Sequence, residues 1–304
     1  MRVGPSRGLV RWTREGRGED KAEIGKAEGR NPKGCMKSYP NVIAKLFYEP
    51  LIITHARHAA MARILESRMA QGLPDNLPDD SQEPGQDQPE GWDTGGSDVI
   101  IPVHGVLVGH ASDIPMSTCG IGCDEVARMI DEALADSNVR RLVFDFNSPG
   151  GAVTGIPELG RKIAGIVSKE TIGFTDSECC SGALWLATQC LSFYATESSV
   201  VGSIGVWCAF LEQSRQMDRE GVSVQEISAG KYKTMGAYWK PLTKEEKGMI
   251  QRQVDKIFGQ FKEAVNLRRQ VADEFMQGQI FDGAEAAACG LCDGVVEGLE
   301  ELLA

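Results

Sequence analysis

A serine that follows a short apolar run and heads a helical pattern is either an N-cap or a nucleophile. Ser181, in Glu178-Cys-Cys-Ser-Gly-Ala-Leu184, is such a residue. As a nucleophile it needs a base. All four histidines (His55, His58, His104, His110) precede residue 111. His104 falls inside an apolar strand pattern and reads as a core or edge residue, and His110 follows that strand, so a Ser-His-Asp triad stays open without support. The other base is a lysine, in Ser228-Ala-Gly-Lys-Tyr-Lys-Thr234. A free lysine titrates near ~10.4 and must be brought down to about 7 by burial and nearby hydroxyls before it can act as a base. On residue types alone, Lys231 and Lys233 are equally a solvated loop.

The second stretch suited to chemistry is Phe144-Asp-Phe-Asn-Ser-Pro-Gly-Gly151. A strand ending in Asn-Ser-Pro-Gly-Gly turns sharply and presents N–H groups unobstructed by Cβ atoms, which is an anion or oxyanion cradle or, more plainly, a structural turn. Both stretches come after strands and before helices, where α/β folds place their working atoms.

The elements that must hold them follow from periodicity. Short apolar runs predict strands at 99–108, 140–147, 171–176, 192–196 and 222–228, and i, i+3, i+4 spacing predicts helices at 123–137, 154–169, 181–190 and 243–270. This alternation predicts an α/β fold with a mainly parallel sheet, wound as a right-handed spiral of βαβ units.

The 304 residues suffice for one large domain or two small ones, which excludes a disulfide-held mini-protein. A formal charge of −11 makes sequence-independent binding to nucleic acid an unlikely main task. Nine cysteines, an odd number at no framework spacing, predict reduced thiols and a cytoplasmic setting. No apolar run is long enough for a membrane anchor, and no apolar stretch follows the first arginines as a secretory signal would require.

Residues 1–37 hold ten Lys or Arg, five Asp or Glu and seven Gly without apolar periodicity, and read as a disordered arm, with Met36 an alternative start. Residues 38–70 predict a helical segment broken at Pro50, residues 71–97 an acidic, proline-rich linker, and residues 98–304 the main domain. Other constellations favour plain readings. Cys289-Gly-Leu-Cys292 has redox spacing in an apolar context, and Cys179 and Cys180 read as buried hydrophobes. Cys119, Cys123 and His110, or His55 and His58, lack a full set of metal ligands.

Four stretches in order, Asn147-Ser-Pro-Gly-Gly151, Cys180-Ser-Gly182, Val201-Gly-Ser-Ile-Gly-Val206 and Ser228-Ala-Gly-Lys-Tyr-Lys233, resemble the signal peptide peptidase A family of serine peptidases. The resemblance spans roughly residues 98–297, including Gln279-Ile-Phe-Asp-Gly and the segment up to Gly294. It implies a Clp-protease/crotonase-like fold and a Ser-Lys dyad, with Ser181 the nucleophile and Lys233 the base. It also implies that Ser203 helps position the lysine amine, that Lys231 is a solvated neighbour, and that N–H groups of Gly182 and of Gly150 or Gly151 form the oxyanion hole. Many members read Ala-Ser-Gly-Gly-Tyr at the nucleophile where this chain has Cys180-Ser-Gly-Ala-Leu184, which implies a different pocket wall.

Leu46-Phe-Tyr-Glu-Pro-Leu51, the helix after it and the acidic linker look like the phage head-maturation branch. That branch implies scaffold or capsid proteins as substrates, a homo-oligomer with sites shared between subunits, and no cofactor or metal. It also implies action in the host cytoplasm or inside a procapsid, with any scaffold on a separate polypeptide since this chain stops at Ala304. Self-cleavage is expected in the 71–98 linker. The rival readings are a soluble bacterial peptidase of the same family, a crotonase-like acyl-thioester enzyme and a catalytically silent capsid-assembly component.

Overall fold

The computed structural model describes residues 49–71, 92–93, 97–111 and 120–303. The arm at 1–37, the first part of the 38–70 segment, nearly all of the linker with its expected self-cleavage, and Cys119 lie outside those residues.

In chain order the strands are β1 (Leu51–Ile53), β2 (Trp92–Asp93), β3 (Asp98–His104), β4 (Val106–Val108), β5 (Gly120–Gly122), β6 (Arg141–Asn147) and β7 (Gly150–Ala152). They continue with β8 (Glu170–Thr175), β9 (Glu178–Cys180), β10 (Ser192–Ala195), β11 (Val200–Gly202), β12 (Ile280–Phe281) and β13 (Gly294–Val295). The helices are α1 (His55–Gln71), α2 (Cys123–Ala135), α3 (Ile156–Ala164), α4 (Gly182–Ala187), α5 (Ser214–Glu220), α6 (Lys244–Asn266), α7 (Gly283–Ala288) and α8 (Leu299–Leu303).

A six-stranded sheet in the order β13-β10-β8-β6-β3-β2 is parallel except for β2. Its central strands, β6 and β8, are largely buried on both faces, which is why they read as apolar runs rather than alternations. Phe144, Phe146 and Phe193 are fully buried there, with rings 6.3 and 6.5 Å apart. Two smaller sheets, β1-β7-β4-β5 and β12-β11-β9, carry the turns that matter for chemistry. This is an α/β fold of mainly parallel sheets with alternating helices, as the rhythm of the sequence predicts.

Helix limits follow local chemistry. Thr243 and Glu246 form a capping box at the start of α6, and Asp282 and Glu285 do the same for α7. Phe261 of α6 stacks on Trp185 of α4 with centroids 4.8 Å apart, fixing the long helix over the short one that begins beside Ser181.

Three expectations are corrected. The strand expected at 99–108 is two strands, because Gly105 (φ 80°) turns the chain from the large sheet into a smaller one. Residues 51–53, expected as helix, form β1, buried between β7 and Trp207. The strand expected at 222–228 is not formed. Val222 and Val224 alternate as a strand should, yet both are exposed, Ile227 is 97% exposed, and residues 223–229 make no backbone hydrogen bond among the described residues. Alternation sets a strand's faces, but only a partner edge makes it a strand.

Candidate active site

Parallel strands β9 and β11 run in register with Cys180 opposite Gly202, so the next residues, Ser181 and Ser203, stand side by side. Both have positive φ, 55° and 58°, and they are the only non-glycine residues that do among the described residues. Each such residue costs on the order of 1–3 kcal/mol and persists only where its surroundings hold it. The holding bonds are Ser181 N–H to the Gly202 carbonyl (2.8 Å) and Ser203 N–H to the Gln279 carbonyl (2.5 Å).

Ser181 precedes α4 but makes no side-chain cap bond, so the N-cap reading does not hold. Ser181 is 1% exposed and its hydroxyl has no hydrogen-bond partner among the described residues. A buried hydroxyl left unpaired costs about 1–3 kcal/mol, which a site can tolerate when the missing partner arrives with ligand or assembly.

The Asn147–Gly151 turn is fastened beside it. Ser148 N–H donates to the Glu178 carbonyl (2.6 Å) and Cys180 N–H donates to the Ser148 carbonyl (3.0 Å), tying the turn to β9. The Gly150 N–H donates to the Ser148 hydroxyl (3.2 Å). Gly150 has φ 93°, and a Cβ there would lie 2.1 Å from the Ile52 carbonyl oxygen and 2.8 Å from the Gly182 nitrogen. The backbone of Gly150 thus adjoins that of Gly182, the residue after the serine. Gly150→Ala is expected to destabilise the fold by about 3 kcal/mol or more, from strain plus backbone overlap, lowering the urea midpoint. A midpoint equal to wild type would refute that.

The two lysines separate clearly. Lys231 Nζ bonds both Glu245 carboxylate oxygens (2.7 and 2.6 Å), and that partner raises its pKa, holding it protonated and unfit as a base. Lys233 is exposed and makes no side-chain hydrogen bond or ion pair among the described residues. It lines a cavity of about 450 Å³ with Phe210, Met235, Tyr238 and Trp239, and Ser181 is not part of that cavity. Glu226, pulled down to about 2 chiefly by Lys240, also bonds Thr234 and Trp239 and anchors this segment. Within one chain, therefore, Lys233 does not reach the Ser181 hydroxyl.

No histidine reaches it either. His110 Nδ1 pairs with Asp124 (3.2 Å), and the rings of His55 and His58 lie against Trp207. His104 Nε2 pairs with Asp145 (2.9 Å), and this hydrogen bond raises the imidazole pKa. Because the folded pKa is raised, the stabilisation is complete below the unfolded value near ~6.5 and fades as pH rises through the folded one. The pair is half-exposed, so the expected size is about 0.5 kcal/mol after screening. Comparing urea midpoints at acidic and alkaline pH for wild type and His104→Gln checks it, since the variant should lose this part of the pH dependence.

Burial pushes the Cys179 and Cys180 thiols well above their ordinary range, which removes them as thiolate nucleophiles. Cys289 and Cys292 are free thiols, the latter pushed up to about 11 mainly by burial. Among the described residues no group of three or more His, Cys, Asp or Glu could hold a metal, and no helix is long and apolar enough to cross a membrane. Sequence reasoning missed Ile52, which adjoins Gly150 and Gly182 beside the serine, and Trp207, which bonds the backbone of Leu51 and Ile53. The only sequence signal for Ile52 was an apolar triplet after a proline.

Comparison with known proteins finds similarity to peptidases. The sequence model of Peptidase family S49 matches residues 169–302, which include Ser181, Ser203 and Lys233. A putative protease of Methanocaldococcus jannaschii is 31% identical over 178 residues, covering 57% of this chain and 57% of that protein. The head-tail preconnector protein of Enterobacteria phage P21 is 26% identical over 201 residues, covering 65% of this chain and 40% of that protein. Capsid assembly protease C of Escherichia phage lambda is 21% identical over 287 residues, covering 88% of this chain and 65% of that protein. The chain spans about half the length of the first two of these relatives. Its similarity is to proteases, a phage capsid assembly protease among them, and to a phage head-tail preconnector protein.

Proposed function

We propose that residues 98–304 form a serine endopeptidase domain in which Ser181 is the nucleophile and Lys233, supplied by a neighbouring copy of the chain, is the general base. The observation that carries this reading is Ser181 itself, buried at positive φ with an unpartnered hydroxyl beside Gly182 and the Gly150-Gly151 turn. An unpaired base on one part of the surface and an unpaired nucleophile elsewhere are what a site divided between subunits leaves in each chain alone.

Neutral Lys233 takes the Ser181 proton as the oxygen attacks the peptide carbonyl, and the negative charge forms where N–H groups of Gly182 and of Gly150 or Gly151 can meet it. The resulting lysinium protonates the leaving amine. Water, activated by the same lysine, then hydrolyses the acyl-enzyme and frees Ser181. Ser203, adjacent to Ser181, orients the lysine amine. The chemistry needs no metal or cofactor.

The phage relatives support scaffold or capsid proteins of an assembling head as substrates, processed in the host cytoplasm or within the procapsid. Intact-mass spectrometry after treatment with a fluorophosphonate tests the reading. One adduct per chain on the assembled protein, lost in Lys233→Ala, is expected. An unmodified mass on assembled wild type would move the reading towards a silent assembly component.

A further inference from the structure

Strand β1 lies against the candidate nucleophile in a substrate-like manner. It pairs antiparallel with β7, Leu51 opposite Ala152, Ile52 opposite Gly151 and Ile53 opposite Gly150. Leu51 donates its N–H to the Trp207 carbonyl (2.7 Å) and accepts the Trp207 N–H (3.1 Å). Alternation along a strand then turns the N–H and C=O of Ile52 the other way, towards Gly151. A peptide carbonyl is thereby presented to the glycine turn assigned above to the oxyanion. Its oxygen and the Gly182 nitrogen both lie within 3 Å of the point a Gly150 Cβ would take. The Ile52 side chain meets Gly182 as well, its Cδ1 and Cγ1 3.2 Å from where a Gly182 Cβ would stand.

A peptide reaching Ser181 must place a carbonyl at those donors and gains main-chain hydrogen bonds by adding as a strand to the nearest sheet edge. Strand β7, which continues the glycine turn, becomes such an edge when β1 leaves it. One side of β7 is taken permanently by β4 inside its sheet, and the other side is taken by β1. We propose that the slot between β7 and Trp207 is the binding site for an extended substrate strand, favouring a branched aliphatic residue over Gly182. In the resting chain, residues 51–53 are its internal occupant, which substrate displaces. This rests on the peptidase reading of Ser181.

The occupant is fastened by further contacts. Trp207 Nε1 donates to the Ile53 carbonyl (3.1 Å), the His58 ring meets Trp207 edge-on at 4.5 Å, and Arg57 pairs with Glu178 of β9 (3.1 Å). Burial of Ser181 to 1% exposure accords with an occupied slot.

A reversible lock tests this. Leu51 spends its backbone groups on Trp207, so Leu51 and Ala152 form a non-hydrogen-bonded pair, the kind whose side chains approach most closely. In Leu51→Cys/Ala152→Cys, oxidation should cut cleavage of fluorescein-labelled casein by about tenfold or more, and dithiothreitol should restore it. Equal cleavage by the oxidised and reduced forms would overturn the proposal. If reduced protein and wild type both fail to take a fluorophosphonate, the peptidase reading itself has failed and this proposal falls with it.

Discussion

Replacing Ser181 with glycine is expected to abolish peptide cleavage, by at least about 10³-fold, while making the protein more stable. The loss follows from removing the proposed nucleophile. The gain follows from geometry, because φ 55° and ψ −115° are the mirror image of an extended conformation, which only glycine enters freely. Deleting the hydroxyl also removes a buried group without a partner. Against these stands the greater backbone entropy of glycine in the unfolded chain, about 0.5–1 kcal/mol. The net expectation is a gain of about 2 kcal/mol, or roughly 5 °C in Tm. Ser181→Ala, which keeps the strain and loses only the hydroxyl, should be equally inactive and gain less. Calorimetry decides, and a Ser181→Gly protein that melts below wild type would refute strain at this residue.

Mixing two dead proteins is expected to give a live one. Ser181→Ala keeps Lys233, and Lys233→Ala keeps Ser181. If each site takes its serine and lysine from different chains, random co-assembly in equal amounts restores about a quarter of the sites. Each variant alone should stay inactive at any concentration. Denaturing and refolding the variants together, then titrating with fluorophosphonate, counts the restored sites. Complete absence of labelling in a mixed assembly would place both groups in one chain and require the 230–236 segment to move towards Ser181.

Much of this was legible in the residues. The runs at 140–147 and 171–176 formed strands because they are largely buried on both faces in one sheet, where composition alone decides, and 192–196 joins them by turning Phe193 and Ala195 inward. The turn at Asn147–Gly151 and Ser181 could be singled out because glycine and serine types at strand ends advertise their geometry. What the sequence withheld depended on distant partners. Leu51-Ile-Ile53 carries no mark of a strand, and becomes one only because β7, nearly a hundred residues later, and Trp207 lie on its two sides. Val222 and Val224 erred in the other direction, carrying the alternation without an edge to join. The choice between Lys231 and Lys233, open on residue types, narrows once Glu245 is seen to hold Lys231.

The uncovered 222–229 strip bears on timing. A lone chain shows water Val222, Val224 and Ile227 together with backbone groups of 223–229 that have no backbone partner among the described residues. Covering such a strip by a neighbour is favoured only where chains are crowded. If its cover also brings in Lys233, the yield of working sites rises more steeply than the amount of protein. Dilute newly made chains would then idle, and the same chains packed into a closed volume would begin to cut, with confinement itself as the clock.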